Sequence, residues 1–335
     1  MPATRFDPYP RARLFDGPTP IQRLHRLEAA LEPVLRGAKL FVKRDDLGGI
    51  GGGGSKLRKL EFLLGDALAQ GAEVLVGVGP LQSNSARLAA AAAARLGLAC
   101  ELGLWPLEGQ AGETLVSGNV LLGRLFGARV QTLPDASAAP GFIAAAAQGR
   151  RSYPLPPGAS SPLSALGYAD CALEIADQEH ALGLRFDRVV IANGSSASQA
   201  GLVAGFALLG RRRLVQGFSV LADAPVAEAN TLALARACHA LLRGEDEITA
   251  VDIRIDDACR GPGYGRTTPE SLDALHLLAR HEGLLLDPVY SAKAFAGLLA
   301  HLHEGEGTRP RNENLLFVMT GGTPALFGYQ SALGT

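Results

Sequence analysis

The sequence lacks an excess of either charge and lacks any long hydrophobic run. Its 335 residues include 32 basic and 33 acidic side chains, a balance that argues against the basic surface of a nucleic-acid-binding protein. Its uninterrupted apolar runs fall short of the roughly 20 residues that a membrane-spanning helix requires. We therefore expect neither a nucleic-acid partner nor a membrane partner.

Cysteine is scarce and scattered: Cys100, Cys171, Cys238 and Cys259 form no CxxC pair. Thiols spaced in this way are typical of buried or incidental cysteines in a reducing compartment. Residues 1–15 carry charge but no apolar core, so we expect no secretory signal. These features predict a cytoplasmic protein.

Two catalytic signatures are absent as well. The histidines show no zinc-ligand spacing, so we expect no metal site. No GxSxG segment is present, which argues against a serine hydrolase built on a nucleophile elbow. Lysine is rare beside arginine, so each lysine position is informative.

Short apolar runs alternate with helical patterns along most of the chain. The runs predict strands at 73–77, 99–104, 129–132, 188–192, 214–220 and 315–319. The helical patterns predict helices at 85–96, 113–126, 198–209, 226–242 and 291–303. This alternation predicts an α/β fold, with parallel sheets and helices on both faces.

Two segments rich in glycine, proline and serine, 48–54 and 154–164, interrupt this pattern. We interpret them as junctions and predict a smaller α/β domain at 61–165, inserted into a larger domain formed by 1–60 and 166–335. Ligands of such sheets bind at the carboxyl ends of the strands, so the loops after strands are the candidate sites.

The first candidate segment is the glycine run that ends at Ser55 and Lys56. Glycines allow a close approach of the backbone to a ligand, and leucines at 57, 60, 63 and 64 predict a helix that begins at Lys56. The helix dipole and desolvation would both lower the pKa of this lysine and favour the neutral amine. Imine chemistry needs that form, although a surface lysine is the alternative. Lys59 is expected to face solvent or pair with an acid.

A second turn, between a strand and a helix, carries Ser83, Asn84 and Ser85. A helix start offers free N–H groups, so this turn could bind a substrate carboxylate, with Ser83 able to relay protons. Simple helix capping is the alternative interpretation.

A third turn contains Gly194, Ser195, Ser196, Ala197 and Ser198 at the start of another predicted helix. Small hydroxyl residues at such a position are typical of a phosphate-binding turn. The turn lacks both the GxGxxG spacing and the P-loop pattern. It therefore predicts a site for a single phosphate rather than for a nucleotide.

Three later residues lie in turns that could reach a ligand. Tyr264 follows Gly-Pro-Gly and Tyr290 follows Asp-Pro-Val, and either ring could instead belong to the core. Thr320 follows a predicted strand and precedes two glycines, where a cofactor ring or a phosphate could lie.

In this order, the motifs resemble the D-cysteine desulfhydrase and 1-aminocyclopropane-1-carboxylate (ACC) deaminase family of fold-type-II pyridoxal-phosphate enzymes. The resemblance extends over residues 14–327. It implies the two-domain architecture of the tryptophan synthase β type, with the active site between the domains. It also implies pyridoxal 5'-phosphate as cofactor, a small amino acid as substrate and a homodimer.

By position, the resemblance implies that Lys56 is the Schiff-base lysine. It makes Ser83 the serine near the substrate, with Asn84 near the 3-hydroxyl of the cofactor and Ser85 beside it in the substrate pocket. Residues 194–198 would form the phosphate site.

The resemblance also implies that Tyr264 and Tyr290 are the active-site tyrosines. Ser291 would lie beside the pyridine nitrogen, with Thr320 as a second candidate. A neutral hydroxyl at that nitrogen would not keep it protonated as a carboxylate would, which favours β-elimination over transamination. ACC deaminases carry an acid there and resemble this chain less.

The chain departs from the family at Ser55, where asparagine is usual, and at Ser85, where histidine or glutamine is common. Segment 158–167 resembles the desulfhydrase branch. These features favour β-elimination of a D-cysteine-like amino acid to pyruvate, ammonia and sulfide. The alternatives are ACC deamination to 2-oxobutyrate, action on a larger amino acid, and non-catalytic binding of an amino acid.

Overall fold

The computed structural model describes residues 5–107, 112–304 and 312–334. The strands, in chain order, are β1 (Ile21–Arg23), β2 (Lys39–Lys43), β3 (Val74–Pro80), β4 (Ala99–Trp105), β5 (Arg129–Thr132), β6 (Ser152–Pro154), β7 (Arg188–Asn193), β8 (Val215–Ser219), β9 (Ile255–Asp256) and β10 (Asn314–Val318). The helices are α1 (His25–Ala30), α2 (Glu32–Leu35), α3 (Lys56–Ala69), α4 (Asn84–Leu96), α5 (Gly118–Leu125), α6 (Ala139–Ala146), α7 (Pro162–Leu182), α8 (Ala197–Leu208), α9 (Ala224–Leu241), α10 (Pro269–Glu282), α11 (Ser291–Glu304) and α12 (Gln330–Leu333).

The strands form two sheets, of six and four strands. The larger has the order β1-β2-β10-β7-β8-β9, and only its β1–β2 pair is antiparallel. The smaller, β5-β4-β3-β6, is parallel throughout. Parallel neighbours require crossover connections, which the intervening helices provide. The predicted α/β class is confirmed.

Both faces of the larger sheet are covered by helices. In β7, Val189 and Ile191 pack into one hydrophobic cluster with α7 and α8, whereas Val190 packs into another with α10 and α11. Strands buried on both faces form near-continuous apolar runs, which is why the sequence predicted β7, β8 and β10.

Two predicted stretches differ in the structure, and strands β1, β2, β6 and β9 and helices α1, α2, α6, α7 and α10 were not predicted. The helix predicted at 113–126 is a 3-10 turn, Gly112–Leu115, followed by α5, because the backbone breaks at Ser117 and at Gly118 with φ +56°. Helix α7 begins at the end of the predicted junction 154–164. Ser161 and Ser164 form a reciprocal capping box at its start.

Helix α3 lies between the two sheets. Leu57 and Leu60 pack with the cluster of the smaller sheet, and Phe62 packs with the cluster of the larger one. The smaller sheet lies entirely inside the predicted inserted domain, but the predicted boundary at residue 61 falls within α3. The exact division into domains stays a prediction.

A buried ionic network fixes the first turn of α3. Arg58 Nε and Nη2 donate to the Asp45 carboxylate at 3.0 and 2.9 Å, and Nη1 donates to Glu174 at 2.8 Å. Tyr168 Oη donates to the same Asp45 at 2.7 Å, and Lys43 pairs with Glu174. Arg58 holds the pKa of Asp45 below its usual value despite complete burial. The network therefore connects α3 to α7 and to the end of β2.

No helix in the described ranges is long and apolar enough to cross a membrane. The four cysteines are free thiols, and three of them are buried, as expected from their spacing.

We predict that Gly167→Ala destabilises the protein, because a Cβ there would lie 2.0 Å from the carbonyl oxygen of Arg58 on the packed helix α3. Overpacking of this kind costs about 1–3 kcal/mol of the free energy of unfolding. Gly141→Ala is the matched control, since a Cβ at this helical glycine meets nothing within 4 Å. Denaturant unfolding measures both, and equal stability of the two variants would contradict the close α3–α7 contact.

Candidate active site

A cavity lies at the carboxyl ends of β7 and β10, facing the starts of α3, α4, α8 and α11. Its wall is formed by Gly54, Ser55, Lys56, Asn84, Arg87, Leu88, Ala192, Asn193, Gly194, Ser195, Ser196, Ser198, Gln199, Tyr290 and Thr320. Most residues singled out in the sequence therefore meet at one place.

Lys56 is the first residue of α3 and lies on the cavity wall. The N–H of the preceding Ser55 donates to the carbonyl of Thr320 at 2.9 Å, which ties the start of α3 to the end of β10. Burial lowers the pKa of Lys56, although Lys59 and Asp287 act in the opposite direction. The lowered pKa is the direction that imine chemistry requires.

The expectation for Lys59 was wrong: it does not face solvent, and among the residues that the structure describes it pairs with no acid. Its side chain is 1% exposed, and Nζ donates to Gly158 O at 3.0 Å and Ser160 Oγ at 3.2 Å. Burial and the neighbouring Lys56 hold the pKa of Lys59 well below its usual value. Because Ser160 Oγ bonds Ser195 Oγ at 2.6 Å, Lys59 lies behind the serine turn of the cavity.

The serine turn connects β7 to α8 and has the features of a phosphate site. Ser195, Ser196 and Ser198 line the cavity, and Ser196 has φ +66° at the helix start. The first turn of a helix carries N–H groups without intrahelical partners, which bind anions. Ala197 is fully buried, and its N–H donates to Ser195 O at 2.9 Å. Ala197 therefore helps to fix the backbone of the turn and presents no side chain to the cavity.

Only one residue of the turn 83–85 is on the cavity wall. Asn84 lines the cavity, whereas Ser83 and Ser85 do not. Ser83 is the N-cap of α4, and its Oγ accepts from Ala86 N at 3.2 Å, as the capping alternative predicts.

The two tyrosines are paired at the cavity. Tyr290 lines the wall, and its hydroxyl is hydrogen-bonded to that of Tyr264, which lies behind it. Their rings are edge-to-face, with centroids 5.8 Å apart. Burial raises the pKa of Tyr264 to about 12 and raises that of Tyr290 well above its usual value. Both hydroxyls therefore keep their protons at neutral pH.

The sequence reasoning missed Asp287, which is fully buried below Tyr290. Its carboxylate accepts backbone N–H bonds from Val289 at 3.1 Å, Tyr290 at 3.0 Å and Ser291 at 2.8 Å. Burial nevertheless raises the pKa of Asp287. The Asp-Pro-Val-Tyr-Ser segment could have suggested a capping carboxylate before a helix.

The structure separates the two candidates for a ring-nitrogen partner. Ser291 is 1% exposed and off the wall, and its Oγ donates to Asp287 Oδ1 at 2.6 Å. Thr320 is on the wall, and within the described part of the chain its hydroxyl makes no hydrogen bond. Of these two candidates, Thr320 is therefore the one whose hydroxyl is available to a ligand.

Arg87, also missed, holds the glycine run in place. Its guanidinium is 1% exposed and donates to Gly51 O at 2.6 Å and Gly53 O at 3.0 Å. Burial lowers the pKa of Arg87 to about 10. A Cβ at Gly53 would lie 1.8 Å from Asp46 O, so this loop requires glycine.

Lys293, on α11, holds the turn that carries Tyr264. Its Nζ donates to Arg260 O at 2.7 Å and Gly263 O at 3.1 Å. Burial, with a smaller effect of Arg260, lowers the pKa of Lys293 to about 8. The sequence offered no local sign of this contact.

The model of the family described as pyridoxal-phosphate dependent enzyme matches residues 12–321. Proteins named D-cysteine desulfhydrase from Salmonella newport and Salmonella typhi are each 40% identical over 339 residues, covering 98% of this chain and 99% of theirs. The crystal structure of an ACC deaminase homologue is 34% identical with a TM-score of 0.85, covering 98% of this chain and 97% of its own. A pyridoxal 5'-phosphate-dependent aspartate racemase, at 13% identity and TM-score 0.63, covers 91% of this chain and 90% of its own and shares the fold.

We predict that Lys293→Met reduces the increase in the free energy of unfolding that the wild-type protein shows as the pH rises from about 8 to 10.5. In the folded protein the pKa of Lys293 falls from 10.5 to about 8, so the unfolded chain binds the extra proton in this window. Stability therefore rises with pH there. Unfolding of wild type and variant at several pH values measures the difference, with exposed Lys39→Met as control. Parallel curves for all three proteins would refute the prediction.

Proposed function

Because the chain belongs to the pyridoxal-phosphate-dependent enzymes, we propose that it is a lyase that β-eliminates D-cysteine, or a similar small amino acid, to pyruvate, ammonia and sulfide. Its parallel sheets covered by helices are the fold-type-II architecture that the sequence predicted. The observation that carries the proposal is the cavity wall: it combines an amine, a serine turn and a free hydroxyl, and its described residues include no carboxylate.

The residues of the cavity fit pyridoxal phosphate by the chemistry of their donors. The turn 194–198 would hold the phosphate, and Lys59 Nζ would support this turn from behind through its hydrogen bonds to Gly158 O and Ser160 Oγ. Lys56 would hold the aldehyde carbon, Asn84 would face the 3-hydroxyl and Thr320 the ring nitrogen. When bound, the cofactor supplies an electron sink for the carbanion formed at the substrate's α-carbon.

Lys56 has two roles in this proposal. It would hold the cofactor through its amine, and the same amine, once free, would accept the α-proton of the substrate. Both roles need a neutral amine, and burial lowers the pKa of Lys56 in that direction.

The tyrosine pair would act on the leaving group. Tyr290 keeps its proton because burial raises its pKa, and Tyr264 holds its hydroxyl by a direct hydrogen bond. Tyr290 can therefore orient the departing thiolate or donate a proton to it. The aminoacrylate that is released hydrolyses to pyruvate and ammonia.

The start of α4 is the proposed site of the substrate carboxylate. Asn84 lines the cavity there, and the first turn of α4 offers N–H donors. Ser83, which caps this turn, and Ser85, which is half-buried beside it, would shape the site from behind the wall.

ACC deamination is the second candidate, because an ACC deaminase homologue has the same fold at 34% identity. It ranks below β-elimination since the hydroxyl of Thr320, rather than a carboxylate, faces the cavity. Action on a larger amino acid is a further alternative. Ser55 lies on the wall, and serine is smaller than the asparagine that is usual in the family at this position.

We infer that the protein acts in the cytoplasm as a homodimer. Free cysteines support a reducing compartment. The exposed side chains of Leu121, Leu125 and Phe327 support self-association, which would bury apolar surface. Light scattering on the purified protein measures the oligomeric state.

The substrate is tested by incubating the holoenzyme with D-cysteine, L-cysteine, β-chloro-D-alanine and ACC. We expect pyruvate and sulfide from D-cysteine, because the cavity wall offers no acid to support ring opening. Keto acids are identified by chromatography and sulfide by a colorimetric assay. If ACC is the only compound that reacts and it gives 2-oxobutyrate, the enzyme belongs to the deaminase branch. If none of the four compounds is turned over, the lyase proposal is rejected.

Lys56→Ala should remove the visible absorbance at about 410–430 nm that a lysine-linked cofactor gives, together with β-elimination. Lys39→Ala is the control, since Lys39 is exposed at the start of β2. Absorbance retained by the Lys56 variant would reject its assignment as the cofactor lysine.

A further inference from the structure

Asn119 is a buried amide that contacts the cavity residue Asn84 from outside the cavity. It is the second residue of α5 and is 3% exposed. Its Nδ2 donates both to the carbonyl of Gln82 at 2.8 Å and to Asn84 Oδ1 at 2.9 Å. The chemistry described above gives Asn119 no role.

These contacts determine which way the Asn84 amide points. The Gln82 carbonyl can only accept, so the Asn119 atom that faces it must be the amide nitrogen. The second hydrogen of that nitrogen then requires an acceptor, which fixes Oδ1 of Asn84 toward Asn119. Asn84 Nδ2 is left on the other side, where a Cβ at Gly322 would lie 2.6 Å from it.

Asn119 is itself held by the side chain of Gln82. Gln82 Oε1 accepts from Asn119 N at 2.9 Å, while Nε2 donates to Thr114 O at 2.8 Å and Ser117 O at 3.1 Å. All these partners are backbone groups, so the Gln82 amide has one satisfied orientation. The packing is also tight, because a Cβ at Gly118 would lie 2.5 Å from Gln82 Oε1.

We propose that Asn119 is a positioning residue that orients Asn84, so that Asn84 Nδ2 donates a hydrogen bond to the 3-hydroxyl oxygen of the cofactor. This inference rests on the proposed function, because it needs the cofactor in the cavity. A donor at that oxygen stabilises its anionic form, whereas a reversed amide would present Oδ1 and repel it. The orientation therefore contributes to cofactor affinity and to the visible spectrum.

The test is a double-mutant cycle on the affinity for pyridoxal phosphate, with Asn119→Ala and Asn84→Ala separately and combined. Asn119→Ala keeps the backbone N–H that donates to Gln82 Oε1 and removes the side-chain amide. We expect the dissociation constant of the cofactor to rise about fivefold, as for loss of a buried hydrogen bond. In the Asn84→Ala background the same substitution should change it less than about twofold.

A spectroscopic comparison and a second variant complete the test. Asn119→Ala should change the visible band of the holoenzyme in the same direction as Asn84→Ala. Asn119→Asp, which can only accept at this position, should give a larger effect. Arg124→Gln, at an exposed position of α5, makes the same change of one unit in net charge and is the control, which should leave the band unchanged.

The outcomes separate this inference from the function on which it rests. A wild-type protein without a visible cofactor band rejects the proposed function. A normal wild-type band with an unchanged Asn119→Ala variant overturns the positioning role. A loss of affinity that persists in the Asn84→Ala background also overturns it, because Asn119 would then act on the fold rather than through Asn84.

Discussion

The ion pairs of Arg58 are the interaction on which the site depends most. Arg58 follows Lys56 by two residues and forms ion pairs with Asp45 and Glu174. These pairs fix the start of α3 to helix α7 and to the segment that follows β2. Removing one partner of a buried ion pair leaves an uncompensated buried charge, which strongly destabilises the folded protein. The position of the Lys56 amine is therefore set by charges outside the cavity.

The central parallel strands followed from the sequence because they are near-continuous apolar runs. Helix α7 is one of the elements that did not: Ala165 to Ala169 are buried without a break, so its first half has no polar face from which its period could be recognised. The motif order located Lys56 and the serine turn 194–198, since both lie in strand-to-helix or loop-to-helix segments with distinctive small residues.

The remaining site residues act through contacts that are distant in sequence. Arg87 binds the carbonyls of Gly51 and Gly53, and Lys293 binds the turn before Tyr264. No local pattern encodes such pairs. Lys59 was misjudged because helical spacing gives the direction of a side chain, but not that α3 is covered on both sides.

Arg87, on the cavity wall, also bears on what happens after the reaction. With a pKa of about 10, it is a cation at neutral pH. It is present before and after any bond in a bound amino acid is broken, and the carboxylate of the keto acid product carries the same charge as that of the substrate. Its attraction is therefore uniform along the reaction: it favours capture of the substrate and slows release of the product equally, without lowering the barrier between them. In the proposed function, acceleration of the chemical step is left to groups whose protons move, the roles proposed for Lys56 and the paired tyrosines.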